Sequence, residues 1–238
     1  MVYARTIEEQ TLNFGVSGLD NGTLVLYDAE SQSRWSQLMG EAVSGDKQGQ
    51  RLRKIPSTMT TWAAWRELHP DTTVYVKSSV PYGAQFTGEA LAGLAEGEPG
   101  PVRGLDLVIG VEGHIEARAY LARRLAEVGR LVHDDLENAP ILVVLTEDRS
   151  TGRVFDRRVG DRTLSFELEG DRLRDEQTGT TWDAISGRAT AGVLEGQQLR
   201  ELVSTYSLWF AWHKYRSDTT IHGEAEVLEN AEGTEGAD

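Results

Sequence analysis

The stretch TTWAAWRELHPDTT at 60–73 is answered by SLWFAWHKYRSDTT at 207–220. A single offset of 147 positions sets Trp35 on Trp182, Trp62 on Trp209 and Trp65 on Trp212. It also carries Gly40, Ala42, Gly45, Leu52 and Arg53 onto Gly187, Ala189, Gly192, Leu199 and Arg200 without a gap. All six tryptophans of the protein fall into matched pairs, so the chain reads as two degenerate copies of one unit. Upstream, VYARTIEEQTLNF at 2–14 reads against VFDRRVGDRTLSF at 154–166 after a short indel, and the block at 104–153 has no counterpart before the first copy. The expected organisation is a truncated copy 1 at 1–77, a Gly/Ala/Pro-rich linker at 78–103, a complete copy 2 at 104–223 and an acidic, disordered tail at 224–238.

Short runs rich in Val, Leu and Ile, among them TLVLYD, DLVIGV, APILVVLT and RTLSFEL, read as strands bounded by turn residues. Helices are expected at about 59–69, 118–129 and 206–216, the first and last each following a Ser-Thr pair suited to N-capping. The fold class that follows is α+β and strand-dominated: two pseudo-repeats of a small β-rich domain, each with a Trp-bearing helix. Trp62 and Trp65, like Trp209 and Trp212, stand three apart and share one helix face. The leading expectation is that this face is core and plugs a small sheet or barrel in each copy. The alternatives are an aromatic cleft for a sugar or other planar ligand, and a partner-docking face.

Composition removes several function classes. Basic residues number 24 and acidic residues 38, a net charge of −14, which repels phosphate backbones and makes nucleic acid an unexpected partner. Cysteine is absent, which excludes disulfides, thiolate metal sites and thiol nucleophiles. No apolar run is long enough for a membrane span, and MVYARTIEEQ carries charges where a signal peptide has its apolar segment. The chain as written therefore reads as cytoplasmic, and as extracytoplasmic if an export signal lies further upstream.

The string NFGVSGLDNGTLVLYDAESQSRWSQLMGEAVSGDKQGQRL resembles a prokaryotic family, domain of unknown function 3179, in its F-G-V-S-G-L, L-x-x-Y-D and S-x-W-x-Q-x-x-G-x-A runs and in the W-x-x-W helix that follows. The block LVIGVEGHIEARAY…LVHDDLENAPILVV resembles the N-terminal half of that family. The resemblance implies a Cys-Pro-Leu-Cys motif just before F-D-R, where this chain has Thr146 and Arg149, and a His before I-V-N-D, where it has Gly129, with His133 at the Asn position. If the family runs thiol redox or metal chemistry, this chain reads as a version that has lost it.

Other chemistry is weakly signalled. VHDDLE groups His133, Asp134 and Asp135 in an expected loop, a weak metal candidate because neighbouring residues of an extended segment point to different sides. Ser17 in GVSG lacks the second glycine of a nucleophile elbow, since Leu19 stands there. Asp71-Thr72 and Asp218-Thr219 read as helix-exit turns. No catalytic residue and no cofactor is expected, and a protein or small-molecule partner is left open. The reading is a non-catalytic structural or binding module; the alternatives are an enzyme or redox-linked protein with a site between the copies, and a small-ligand binder using the paired tryptophans Trp35, Trp62, Trp65, Trp182, Trp209 and Trp212.

Overall fold

A computed structural model describes residues 1–20, 23–76 and 102–224. The expected linker lies outside the described residues except for Val102 and Arg103, and so does the expected tail beyond Glu224. The chain divides into two compact units: Met1–Asp106 with Tyr206–Tyr215, and Leu107–Thr205 with Arg216–Asp238. The protein is strand-dominated α+β, as expected, with short, mainly antiparallel sheets and few helical turns among the described residues.

In the first unit the strands Phe14–Asp20, Thr23–Asp28, Arg34–Ser36 and Glu41–Ser44 pair in sequence order as an antiparallel meander. The apolar–polar alternation of TLVLYD forms one of its inner strands, burying Val25 while leaving Tyr27 exposed. Trp35 is fully buried with Leu12, Ala42 and Leu52, and Phe14 meets its ring edge-on at 5.6 Å. The indole Nε1–H donates to Asp28 Oδ2 at 2.8 Å, and Ser31 donates its backbone N–H to Oδ1 and its hydroxyl to both carboxylate oxygens.

The second unit holds the same arrangement. Phe166–Glu169, Arg172–Asp175, Thr181–Asp183 and Ala189–Ala191 form a meander over a core that includes Leu164, Trp182, Ala189 and Leu199. Phe166 meets Trp182 edge-on at 6.1 Å, and Trp182 Nε1–H donates to Asp175 Oδ2 at 3.0 Å. Thr178 serves Asp175 as Ser31 serves Asp28. Gly45 and Gly192 are also matched. Both have positive φ, and a Cβ on either would fall within 3 Å of the backbone Cα of Ser33 or Thr180. Only glycine satisfies both conditions.

The rest of the second unit carries the functional candidates. Leu107–Glu112 and Ala117–Leu121 form an antiparallel hairpin, along which Thr220–Ile221 runs parallel to Ala117–Leu121. The helix Ala122–Glu127 follows, buries Ala122 and Leu125, and ends before Gly129, which takes positive φ. Leu131–Leu136, Ala139–Leu145 and Gly152–Asp156 then make a three-stranded antiparallel sheet whose central strand is apolar on both faces.

Three expectations need correction. The helix expected over 118–129 is a strand as far as Leu121, because Ala119 and Leu121 take ladder positions in the hairpin. VHDDLE is not a loop: Leu131–Leu136 pairs with Ala139–Leu145 through a two-residue turn in which Glu137 and Asn138 both take positive φ. Two adjacent aspartates disfavour a strand by propensity, but the hairpin turn and the apolar partner strand override that preference.

The tryptophan helices also differ from expectation. Trp62–Leu68 is capped by the Thr61 hydroxyl, not by the Ser-Thr pair, and buries no residue; Trp62 is 46% exposed. Trp209–Tyr215 buries Trp209, Phe210 and Trp212 and belongs to the first unit, where Asp106 and Gly104 carbonyls receive the N–H groups of Trp209 and Phe210. Ser204 and Thr205 lie in the preceding strand and cannot cap it. Trp35, Trp182, Trp209 and Trp212 are buried, while the first helix presents Trp62 to solvent.

Candidate functional site

Strand periodicity sets Arg118 and Tyr120 on one face, since residues two apart point the same way. Both reach Asp134, on the strand Leu131–Leu136. Asp134 Oδ2 accepts from Arg118 Nη1 at 2.8 Å and from the Tyr120 hydroxyl at 2.6 Å. His222 follows directly on the strand Thr220–Ile221; its backbone N–H is held by the Ala119 carbonyl, and its Nδ1 lies 3.3 Å from the same Oδ2. The imidazole stacks on the Tyr120 ring at 5.1 Å. The other carboxylate oxygen, Oδ1, accepts the backbone N–H of Asp135.

Burial pushes the Asp134 carboxyl up, but the hydrogen bonds from His222, Tyr120 and Arg118 outweigh it and hold the group well below the usual carboxylate range. Burial, and then the hydrogen bond to the Asp134 carboxylate, drive the Tyr120 hydroxyl far above its ordinary value. At neutral pH Asp134 is ionised with its donors in place and Tyr120 is protonated. A carboxylate held so far down is a weak base with its lone pairs already committed, and a protonated Tyr120 has no basic form to offer at neutral pH, so neither is poised as a general base.

Beside this network opens a cavity of about 360 Å³. Leu121, Leu125 and Val128, spaced i, i+4 and i+7 through the helix Ala122–Glu127 and its two ends, line it together with Val132, Tyr120 and His222. Arg124 supplies the cationic group and pairs with Glu224. Among the described residues, serine, threonine, cysteine and lysine are all missing from the lining.

The suspected metal residues do not converge. Asp134 points to the Tyr120 face, and its strand neighbours His133 and Asp135 point to the other. His133 Nε2 accepts the Phe166 N–H at 2.9 Å, which spends that lone pair; burial and nearby Arg157 push the imidazole down toward its neutral form. Asp135 is mostly exposed, 3.9 Å from Arg157. His114 lies in a loop whose successive N–H groups, from His114 to Glu116, converge on Glu137. Those three backbone hydrogen bonds hold the Glu137 carboxyl down at about 2. Among the described residues, no three His, Asp or Glu side chains are grouped to hold a metal ion.

Thr146 and Arg149 sit at the two ends of a tight turn closed by the Arg149 N–H on the Thr146 carbonyl. The Thr146 hydroxyl donates to Asp148 at 2.7 Å, and Arg149 takes positive φ. Close by in sequence, Asp156 is nearly fully buried; burial raises its carboxyl, but Arg158, which forks across both oxygens, and Arg200 hold it at about 2.

Sequence reasoning missed Arg118, Tyr120 and His222 because it placed the first two in a helix. The usable signal was the two-residue spacing of Arg and Tyr in ARAYL, which is a strand period.

Fold and site together define a strand-dominated α+β protein with a locked carboxylate network beside an apolar-floored cavity. The profile of the family described as "Protein of unknown function (DUF3179)" matches residues 1–219, and the chain belongs to that family. No curated protein and no solved structure matches the chain.

Proposed function

We propose that this chain is a non-catalytic binding module, a duplicated unit that has lost the family's paired thiols, and that it takes a small ligand in the cavity beside Tyr120. The observation that carries the reading is the Asp134 network. A carboxylate that already receives Arg118, Tyr120 and His222 is a brace for the two rings that line the cavity, Tyr120 and His222, and not a base. The cavity falls within the size range of ordinary small-molecule pockets and has their composition, mostly apolar with few polar groups. The duplication is supported by the recurrence, 147 residues apart, of the buried Trp–Asp hydrogen bond.

Methyl NMR of the full chain against a library of small acids, amines and amides tests this reading. Saturable shifts at Leu121, Leu125 and Val132, with no turnover of any fragment, are expected. Shifts elsewhere only, or chemical conversion of a fragment, would contradict it.

A second reading rests on the helix Trp62–Leu68, where Trp62 is exposed and Trp65 borders a cavity of about 490 Å³ with Leu68, His69 and Thr72. Trp65 is already engaged there, its ring against His69 and its Nε1–H on Thr72. The leading reading expects indole emission to stay constant on titration with soluble oligosaccharides. A saturable change that Trp62→Ala abolishes would transfer the function to this helix.

A further inference from the structure

The chemistry of the ligand can be read from what the chain itself places at the cavity mouth. Arg124 lies on the helix Ala122–Glu127, between Leu121 and Leu125, so one short segment supplies both an apolar floor and a guanidinium. That guanidinium is held by a carboxylate of the same chain, with Arg124 Nη2 donating to Glu224 Oε1. The side chains of Arg124 and Glu224 are 33% and 20% exposed, so the pair sits at the boundary between cavity and solvent. Glu224 arrives through a tight turn in which its own N–H bonds the Ile221 carbonyl and Gly223 takes positive φ.

Resting on the binding reading above, we propose that the cavity receives a small organic acid with an apolar body, whose carboxylate replaces that of Glu224 on Arg124. A guanidinium presents a planar fork matched to a carboxylate, and Glu224 already places a carboxylate oxygen on one of its donors, Nη2. The body of the acid lies along Leu121, Leu125, Val128 and Val132, against the rings of Tyr120 and His222. An ammonium ligand would instead meet the Arg124 charge, and a neutral ligand would gain nothing from displacing Glu224. Because Glu224 is tethered next to its target, it acts as an internal competitor at high effective concentration and weakens the binding of free acids. Binding by an acid releases Glu224 from Arg124.

Titration of the full chain with phenylacetate and octanoate, and with their neutral amides, tests the proposal by calorimetry and by the Leu125 and Val132 methyl signals. The acids should bind more tightly than the amides. Glu224→Gln should strengthen acid binding by about fivefold or more by removing the tethered competitor. Arg124→Gln should weaken it by roughly tenfold, with Arg124→Lys recovering part of the loss and the amides indifferent to all three changes. Amides that bind as tightly as acids, or a Glu224→Gln protein with unchanged acid affinity, would overturn the acid assignment while leaving the cavity as a ligand site. Silence from acids and amides in every variant would overturn the cavity reading itself. Glu224 and Arg124 both lie at the surface, and an unchanged melting temperature identifies variants that remain folded.

Discussion

Trp182→Ala is expected to unfold the second unit or bring it close to unfolding. Trp182 is fully buried, packs edge-on against Phe166 and donates its Nε1–H to Asp175, itself fully buried. Removing a buried indole costs about 3–5 kcal/mol through lost transfer energy and the cavity left behind. Taking the donor from a buried carboxylate adds about 1–3 kcal/mol. Against a typical domain stability of about 5–15 kcal/mol, that loss is large. Trp35→Ala should do the same to the first unit, where Asp28 is the partner; burial raises that carboxyl, and the hydrogen bonds from Trp35 and Ser31 bring it below its usual value. Trp62→Ala is the control: at 46% exposure it should change stability by less than about 0.5 kcal/mol. Urea unfolding followed by circular dichroism makes the comparison, and three equal effects would contradict the burial pattern.

Asp134→Ala should cost about 2–4 kcal/mol, less than for a fully buried pair because the Arg118 side chain keeps 20% exposure. The loss has two sources: Arg118 and His222 lose their anion, and the nearly inaccessible Tyr120 loses the acceptor for its hydroxyl. The acid dependence has a defined sign. The folded carboxyl is held below its unfolded value of 3.8, so its contribution is complete above that value and fades as pH falls toward the folded value. Wild type should therefore lose stability on going below about pH 4 faster than Asp134→Asn, whose group does not titrate. Melting temperatures measured from pH 7 to pH 2 check this, and parallel curves for the two proteins would contradict it.

Much of this architecture was legible in the sequence because it rests on bulky residues at fixed spacing. Trp35 and Trp182, with the apolar runs at 23–28 and 139–145, mark buried positions that few other residue types could fill. The network at Asp134 was harder to see. Its members come from 118, 120, 134 and 222 and meet only through strand pairing. ARAYLARRLAEVG has helix-forming residues throughout, and nothing local marks Leu121 as the point where strand gives way to helix. The unequal burial of the two tryptophan helices was equally hidden, since Trp62 and Trp209 hold the same place in a W-x-A-W pattern and that spacing does not say what covers them.

A ligand in the cavity beside Tyr120 should leave the Asp134 network closed. A crystal structure of the full chain grown with a fragment that shifts the Leu125 methyls tests it most directly. Density for the fragment is expected between Leu121, Leu125 and Val132, with Asp134 Oδ2 still receiving Arg118, Tyr120 and His222. Density at another surface with the cavity empty, or Asp134 turned away from its donors to act on the fragment, would contradict it.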